Sequence, residues 1–355
     1  MTEPAVALAP RVSVVVACFN LGEFVEEAID SVLAQTFQDF EILVIDDGST
    51  DPATQQVLGR LSKPRTRVIR MEHGGLARAR NLGIVNARGE YLCALDADDT
   101  LRPAFLEKTV GALDAQPEAT FASTWLRTFG DDTWEWAPER CDLPTLLSEN
   151  TVLTAALTRL KAVRDVGGYD EHMPVQGDED WDLWLSLVER GHRGIILPEV
   201  LFDYRRRSGS MSSVCWHGPG HVPLAHYRFT KHESSYRQHL TDVLLNQDDE
   251  TAAVLRDNDA LERRIGSDLE PLLELKQREL ATLKARLAAH GGVEASDGPA
   301  EALATRVHEA ERVAREALEE VAALRSSRSW RVTKPLRSAY DVWLRLRGDS
   351  GPAAS

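Results

Sequence analysis

The chain has 355 residues, more than one compact core usually needs, so a catalytic domain with an appendage is the expected organisation. Its 41 Lys and Arg against 56 Asp and Glu give a formal charge of -15, which disfavours a polyanion such as nucleic acid as partner. The four cysteines, Cys18, Cys93, Cys141 and Cys215, stand far apart with no C-x-x-C pair, which excludes the usual zinc and redox spacings and fits a reducing cytoplasm. Met1 to Pro10 lack the basic start and apolar core of a signal peptide and read as a loose arm. No run of about eighteen apolar residues occurs, so any membrane contact is expected to be peripheral.

After Arg11 the pattern alternates. Strand Val12 to Ala17, helix Glu23 to Ala34, strand Phe40 to Ile45, helix Pro52 to Leu61 and strand Arg67 to Met71 follow in a βαβαβ order. A helix over Gly75 to Ala87 and a strand over Tyr91 to Leu95 complete a parallel nucleotide-binding half, with right-handed crossovers placing helices on both faces. The strand at Leu95 stops at Asp96, Asp98 and Asp99, and the strand at Ile45 stops at Asp46 and Asp47. Burial does not demand these acids, and their mutual repulsion calls for a cation. Ligands of open α/β sheets bind outside the carboxyl ends of the strands. Mg²⁺ commonly bridges one or two carboxylates to bound phosphates. Asp96-Ala97-Asp98 therefore reads as a metal–diphosphate clamp, or as an acidic turn, where Asp is also favoured.

A helix over Pro103 to Ala115 precedes two tryptophan-bearing strands, near Phe121 to Thr128 and Thr133 to Ala137. Trp125, Trp134 and Trp136 suit stacking on a sugar, although a half-buried aromatic in a sheet is the commoner arrangement. Asp178 to Val188 opens with acids and continues with apolar residues at helical spacing, which places Glu179 and Asp180 in a first helical turn. Asp178 can supply the cap, and the additional acids leave room for chemistry.

Beyond about Tyr236 the composition turns to Leu, Ala, Glu and Arg. Leu303, Val307, Ala310, Ala314, Ala317, Val321 and Leu324 alternate steps of four and three, a coiled-coil seam. Leu269, Leu273, Leu280, Leu283 and Leu287 continue it upstream, interrupted by Lys276, with a hinge over Ala289 to Pro299. Either a homodimer through these helices or a hairpin folded at the hinge satisfies the pattern. The end, Arg325 to Arg347, carries seven Lys or Arg and one acid, Asp341, with Leu336, Ala339, Tyr340 and Trp343 on one helical face. That face fits an anionic membrane surface or a docking site on the protein body equally well. The expected domains are an arm over 1–10, a catalytic domain over 11–235, a helical region over 236–327 and a basic amphipathic segment over 328–355.

Val12-Ser13-Val14-Val15-Val16-Ala17-Cys18-Phe19-Asn20, Ala28 to Phe37, Asp46-Asp47-Gly48-Ser49-Thr50-Asp51, Ala79-Arg80-Asn81 and Asp96-Ala97-Asp98-Asp99 occur in the order and spacing of one family. Together with Gly167-Gly168-Tyr169-Asp170-Glu171 and Glu179-Asp180, they make Arg11 to Ser213 resemble the family 2 glycosyltransferases. The resemblance implies a GT-A fold, a mostly parallel wound α/β sheet, here followed by an α-helical extension. It also implies inverting transfer of a sugar from a nucleoside diphosphate donor, with UDP as the expected nucleotide, to a glycan or glycolipid hydroxyl. Mg²⁺ or Mn²⁺ is the implied cofactor, with Asp98 as its ligand. Asp47 matches the nucleobase position, and Ala17, Phe19, Asn20, Glu23 and Gly75 complete the implied donor pocket with Asp96 and Ala97 near ribose and phosphate. Arg80 matches a diphosphate contact or a salt bridge beneath the site. Asp180 matches the base, with Glu179 and Trp181 on the acceptor side. A carboxylate at a helix N-terminus stays ionised, a weak but always available base.

One departure from the resemblance stands out. Where many relatives carry Tyr-Arg-X-His and then Ser-X-Ser, this chain reads Tyr204-Arg205-Arg206-Arg207-Ser208-Gly209-Ser210-Met211-Ser212. Arginine cannot ligate a metal but pairs with phosphate in a forked geometry, so Arg207 is expected to contact the donor diphosphate directly. Alternatively the arginine cluster grips an anionic acceptor. Ser327 to Arg337 resembles a short motif after helical tails in bacterial enzymes of surface-polysaccharide assembly. A nucleotidyltransferase or dinucleotide dehydrogenase would need a Gly-rich loop after the first strand, and Ala17 to Gly22 lacks it. A degenerate enzyme retained as a coiled-coil scaffold is the competing class, opposed by the intact acids.

Overall fold

The structure, a computed structural model, describes residues 9–207, 220–289 and 298–326. The segment Ser208–Ser212, Cys215, most of the hinge and the basic end from residue 327 lie outside the described residues, as does the arm up to residue 8. The first half follows the expected alternation: β1 (Val12–Cys18), α1 (Val25–Leu33), β2 (Phe40–Asp46), α2 (Pro52–Arg60), β3 (Thr66–Arg70), α3 (Leu76–Asn86) and β4 (Tyr91–Asp96). Helix α1 begins at Val25 rather than Glu23, because the amide of Gly22 is held by Thr54 Oγ1 at 2.9 Å and residues 22–24 form a turn. Strands β3-β2-β1-β4 lie parallel in that order; β1, β2 and β4 are buried almost end to end because both sheet faces are covered, whereas the edge strand β3 is partly exposed.

The period-two geometry of a strand sends alternate β1 side chains to two different cores. Val12, Val14, Val16 and Cys18 pack with Val25 and Ile29 of α1, whereas Val15 and Ala17 pack with Ala79 and Ile84 of α3. At Gly83 of α3 an added Cβ would lie 2.3 Å from Val15 Cγ1, so this helix reaches the sheet only because the position has no side chain.

Beyond β4 the sheet becomes mixed. Short β5 (Thr100–Leu101) is followed by α4 (Phe105–Ala115), β6 (Ala119–Gly130), β7 (Glu135–Trp136), α5 (Leu143–Ser148), β8 (Leu157–Arg159), α6 (Leu160–Val166), α7 (Glu179–Glu189) and β9 (Arg193–Arg206). The order continues β4-β8-β6-β9-β5, with β7 pairing β6 to make nine strands. Trp125 is half-buried with its indole N–H on Pro138 O at 3.0 Å, and Trp136 packs against the core, so both serve the sheet. Strands β5, β8 and β9 escape sequence reading. The first two are very short, and β9 carries Pro198, where Thr124↔Leu197 is followed by Trp125↔Val200 and the ladder is interrupted.

Helices α8 (His221–Lys231), α9 (Glu233–Gln238) and α10 (Leu240–Arg263) follow, and the chain divides into two compact units between Leu244 and Leu245. In the second unit, a π-helical turn (Arg264–Leu269) leads into α11 (Glu270–Ala289), which packs antiparallel to α12 (Gly298–Ser326). Leu283 meets Val307 and Ala310, while Ile265 and Leu269 meet Val321 at the other end. Lys284 and Glu311 pair across the helices at 2.7 Å. The four-three seam is thus covered within the chain by a hairpin, the second of the two arrangements its pattern allows. Lys276 interrupts the apolar seam and pairs with Glu279 at 2.8 Å.

Candidate active site

Parallel register brings the acids together: Cys18 pairs with Asp46 and Ala17 with Asp96, so β1, β2 and β4 end at one level. Ala17 is buried there, and Phe19 emerges beyond it, 38% exposed, with its ring stacked on His73 at 4.2 Å and 21°. Asp47 is buried, and its two carboxylate oxygens accept the amides of Gly74 at 2.7 Å and Gly75 at 2.9 Å. Its first effect is therefore to lock the 73–75 loop against the end of β2. Gly48 makes that approach possible: its φ is +69°, and a Cβ would lie 2.6 Å from the His73 amide nitrogen. Asn20 takes a left-handed φ of 56°, and its side-chain oxygen accepts from the amides of Thr50 at 2.8 Å and Asp51 at 2.9 Å. Glu23 is exposed in the turn before α1. His73, which no sequence signal singled out, completes a flat aromatic surface beside Asp47.

The turn after β4 packs three carboxylates closely. Burial and the neighbouring charge of Asp96 push the Asp98 carboxyl above the usual range, with Arg207 opposing. Asp99 is raised well above it by burial and by Asp96 and Asp98. The end of β9 holds this turn. Arg205 donates its amide to Asp99 Oδ1 and its Nε to the Asp98 carbonyl, each at 2.8 Å, with its guanidinium between the rings of Phe24 and Phe129 at 4.7 and 4.3 Å. Arg207, one residue past β9, places Nε 2.8 Å from Asp98 Oδ2. No group of three or more His, Cys, Asp or Glu among the described residues could by itself hold a metal. Asp98 and Asp96 offer a hard divalent cation only two protein carboxylates, so waters or, better, donor phosphate oxygens must complete its shell, the usual arrangement for Mg²⁺. Ala97 is fully buried between these acids.

Arg80 sits beneath the acids. It is 1% exposed and donates NH1 to Glu179 Oε1 at 2.5 Å and NH2 to Asp96 Oδ1 at 2.6 Å, over the face of Tyr169 at 5.2 Å. Burial works against its charge, but Asp96 and Glu179 outweigh that and raise its pKa further. Of the two roles open to Arg80, the geometry is that of the salt bridge. One guanidinium ties the end of β4 to the start of α7 and brings the donor-side and acceptor-side acids together.

Helix α7 opens with Asp178 at φ 58°, whose side chain makes no cap. The carboxylate that capping would use is turned instead to Arg228 of α8. Its neighbours are matched in the same way. Glu179 is buried against Arg80, and Asp182 meets Lys231 at 2.8 Å and His232 at 3.1 Å. Asp180 alone among these four acids has no cation in contact among the described residues. It is half-buried, with Thr154 Oγ1 donating to Oδ2 at 2.5 Å and the Trp181 amide to Oδ1 at 2.7 Å. The Trp181 indole is turned away to Leu146 O at 2.5 Å, with Arg228 stacked over the ring at 3.4 Å. Thr154 and Arg228 are site residues that sequence reading missed, since neither belongs to a motif.

The α7–α8 contact predicts a pH dependence. Burial disfavours charge on His232, but its bonds to Asp182 and to Glu189, at 3.1 and 2.8 Å, prevail and raise its pKa. A raised folded-state pKa contributes stability that is full below the unfolded value of about 6.5 and is lost as pH rises through the folded value. The melting temperature is therefore expected to fall more steeply above pH 6.5 in the native chain than in His232→Gln. Parallel melting curves for the two proteins over about two pH units check this.

The match of a family model covers the donor side of this site. The family model described as glycosyl transferase family 2 matches residues 13–168. An uncharacterised glycosyltransferase of Haemophilus influenzae is 35% identical over 230 residues, covering 59% of this chain and 69% of that protein. The chain belongs to glycosyl transferase family 2. This family 2 glycosyltransferase also matches the succinoglycan biosynthesis protein ExoO of Rhizobium meliloti, at 30% identity over 233 residues, 60% of this chain and 66% of ExoO. Staphylococcus aureus TarS, residues 1-349 in complex with UDP-GlcNAc, superposes with a TM-score of 0.49 at 22% identity over 57% of this chain and 60% of that one. The chain spans as little as 23% and as much as 83% of the length of its curated relatives, and less than two thirds of several. Asp180 and α8 of the glycosyltransferase lie beyond the matched residues. No helix among the described residues is long and apolar enough to cross a membrane.

Proposed function

We propose that this family 2 glycosyltransferase moves a sugar with inversion from a nucleoside diphosphate donor to a hydroxyl of a glycan or glycolipid in surface-polysaccharide assembly. The observation that carries the reading is the half-exposed carboxylate of Asp180, bonded by Thr154 and its own helix, while each acid beside it has a cation. Inversion requires the acceptor oxygen to attack opposite the leaving diphosphate, so a base belongs on the acceptor side. Asp180 is placed to accept that proton as the new bond forms, and the Thr154 hydroxyl fixes the orientation of its carboxylate.

On the donor side, the Phe19–His73 stack offers a face for a nucleobase, with Asp47 and Ala17 beside it and the Asn20 and Gly75 loops shaping the rim. Glu23 borders the same pocket, Asp96 and Ala97 lie toward ribose and phosphate, and Arg207 meets the diphosphate. Asp98, with Asp96 beside it, would hold the divalent cation. When bound, that cation neutralises charge developing on the departing diphosphate, an effect worth several kcal/mol in general. Glu179 keeps the acceptor side in register through Arg80, and Trp181 does so through its packing under Arg228. The likeness to ExoO, a succinoglycan biosynthesis protein, supports a polysaccharide destination, and the basic end from residue 328 supports a peripheral position at the inner membrane face.

A thermal-shift panel of nucleoside diphosphates and their sugars, with Mn²⁺, Mg²⁺ or chelator, tests the reading. One nucleotide series, with UDP expected, should raise the melting temperature by roughly 5 °C at a hundredfold excess over its Kd. Absence of any shift across the panel would overturn the donor assignment.

A further inference from the structure

The contact between Arg207 and Asp98 is an ion pair placed where the reading above puts a divalent cation. Arg207 Nε lies 2.8 Å from Asp98 Oδ2, and the two side chains are 35% and 15% exposed. A carboxylate oxygen that accepts an arginine N–H and faces its positive charge is a poor ligand for a second cation at the same lone pairs. Arg207 stands just past Arg206, the last residue of β9, so its backbone is outside the ladder that fixes Arg205. The acid turn does not depend on it. Arg205 already holds the Asp98 carbonyl and the Asp99 carboxylate, with its guanidinium set between Phe24 and Phe129. Arg207 lies at a looser 5.8 Å from the Phe24 ring centroid.

We infer that Arg207 is a resident counter-cation of Asp98, which exchanges that carboxylate for the diphosphate when the donor arrives and so withholds the site from a free divalent cation. The inference rests on the proposed role of Asp98. A diphosphate offers guanidinium a forked partner of higher charge than one carboxylate, and a partly exposed ion pair is weak enough to be exchanged. The consequence is an order of events. Without nucleotide, Asp98 is neutralised internally. With nucleotide, Arg207 moves to phosphate oxygens, and the vacated carboxylate oxygen and the diphosphate together become a cation site.

Titration of the full chain with Mn²⁺ alone, followed by the electron paramagnetic resonance of free Mn²⁺, tests the exchange without any acceptor. Arg207→Gln is expected to bind Mn²⁺ about tenfold more tightly than the native chain, since removing an opposing charge at contact distance is worth about that factor when partly screened. Arg207→Lys, which keeps the charge, should stay within about twofold of the native chain. Asp98→Asn combined with Arg207→Gln should abolish the gain. An Arg207→Gln affinity within twofold of native, or a gain that survives Asp98→Asn, would overturn the inference. Failure of the underlying reading shows elsewhere: Asp98→Asn alone would then leave Mn²⁺ binding in the presence of saturating UDP unchanged.

Discussion

Asp180→Asn is expected to lower the rate of sugar transfer by about a hundred- to ten-thousandfold, the usual weight of a general base, while leaving nucleotide binding within about twofold. The substitution is nearly isosteric: the amide oxygen can still accept the Trp181 amide proton, and the amide NH2 can donate to the Thr154 hydroxyl once that hydroxyl rotates to accept, so the start of α7 should keep its geometry. What is lost is the ability to take the acceptor proton. Comparing nucleoside diphosphate release with and without acceptor in native and variant proteins, alongside the thermal shift given by the donor, separates chemistry from binding. A variant that keeps transfer within a few fold of native would remove Asp180 from the mechanism.

Arg80→Met should cost about 3–5 kcal/mol of stability, because it strips the shared cation from two acids held beneath the site. Glu179 is itself buried, and burial already raises its carboxyl while Arg80 draws it down. Without the guanidinium it must take up a proton or pull away. The loss is a large fraction of the total stability of a typical domain and corresponds to a fall in melting temperature on the order of 10 °C. Adding Glu179→Gln and Asp96→Asn to Arg80→Met should recover part of the loss, since the buried charges then vanish together. Thermal and urea unfolding of the single and triple variants provide the measurement. A cost below about 1 kcal/mol would show that Arg80 is not the structural tie described here.

Several parts of the site were readable before any coordinates. The runs Val12 to Ala17, Phe40 to Ile45 and Tyr91 to Leu95 are apolar but for Ser13 and Glu41 because both faces of a central parallel strand are buried, and acids at their ends are conspicuous for that reason. The spacing of Val307, Ala310, Ala314, Ala317 and Val321 marked a buried helical seam, but a seam does not state what fills it. Only the packing of α11 against α12 chose the hairpin. Local propensity misled at Asp178: an acid before a helix reads as a cap, yet here the side chain answers a cation on α8 fifty residues away.

Local pattern therefore determined the wound α/β half, the family and the acidic strand ends, because apolar periodicity and motif spacing are properties of neighbouring residues. Tertiary structure alone decided which of those acids are compensated and which is left available. Arg80 reaches Glu179 across 99 positions and Arg207 reaches Asp98 across 109, and a charge's partner at that separation is set by strand order and helix packing, which no local pattern encodes.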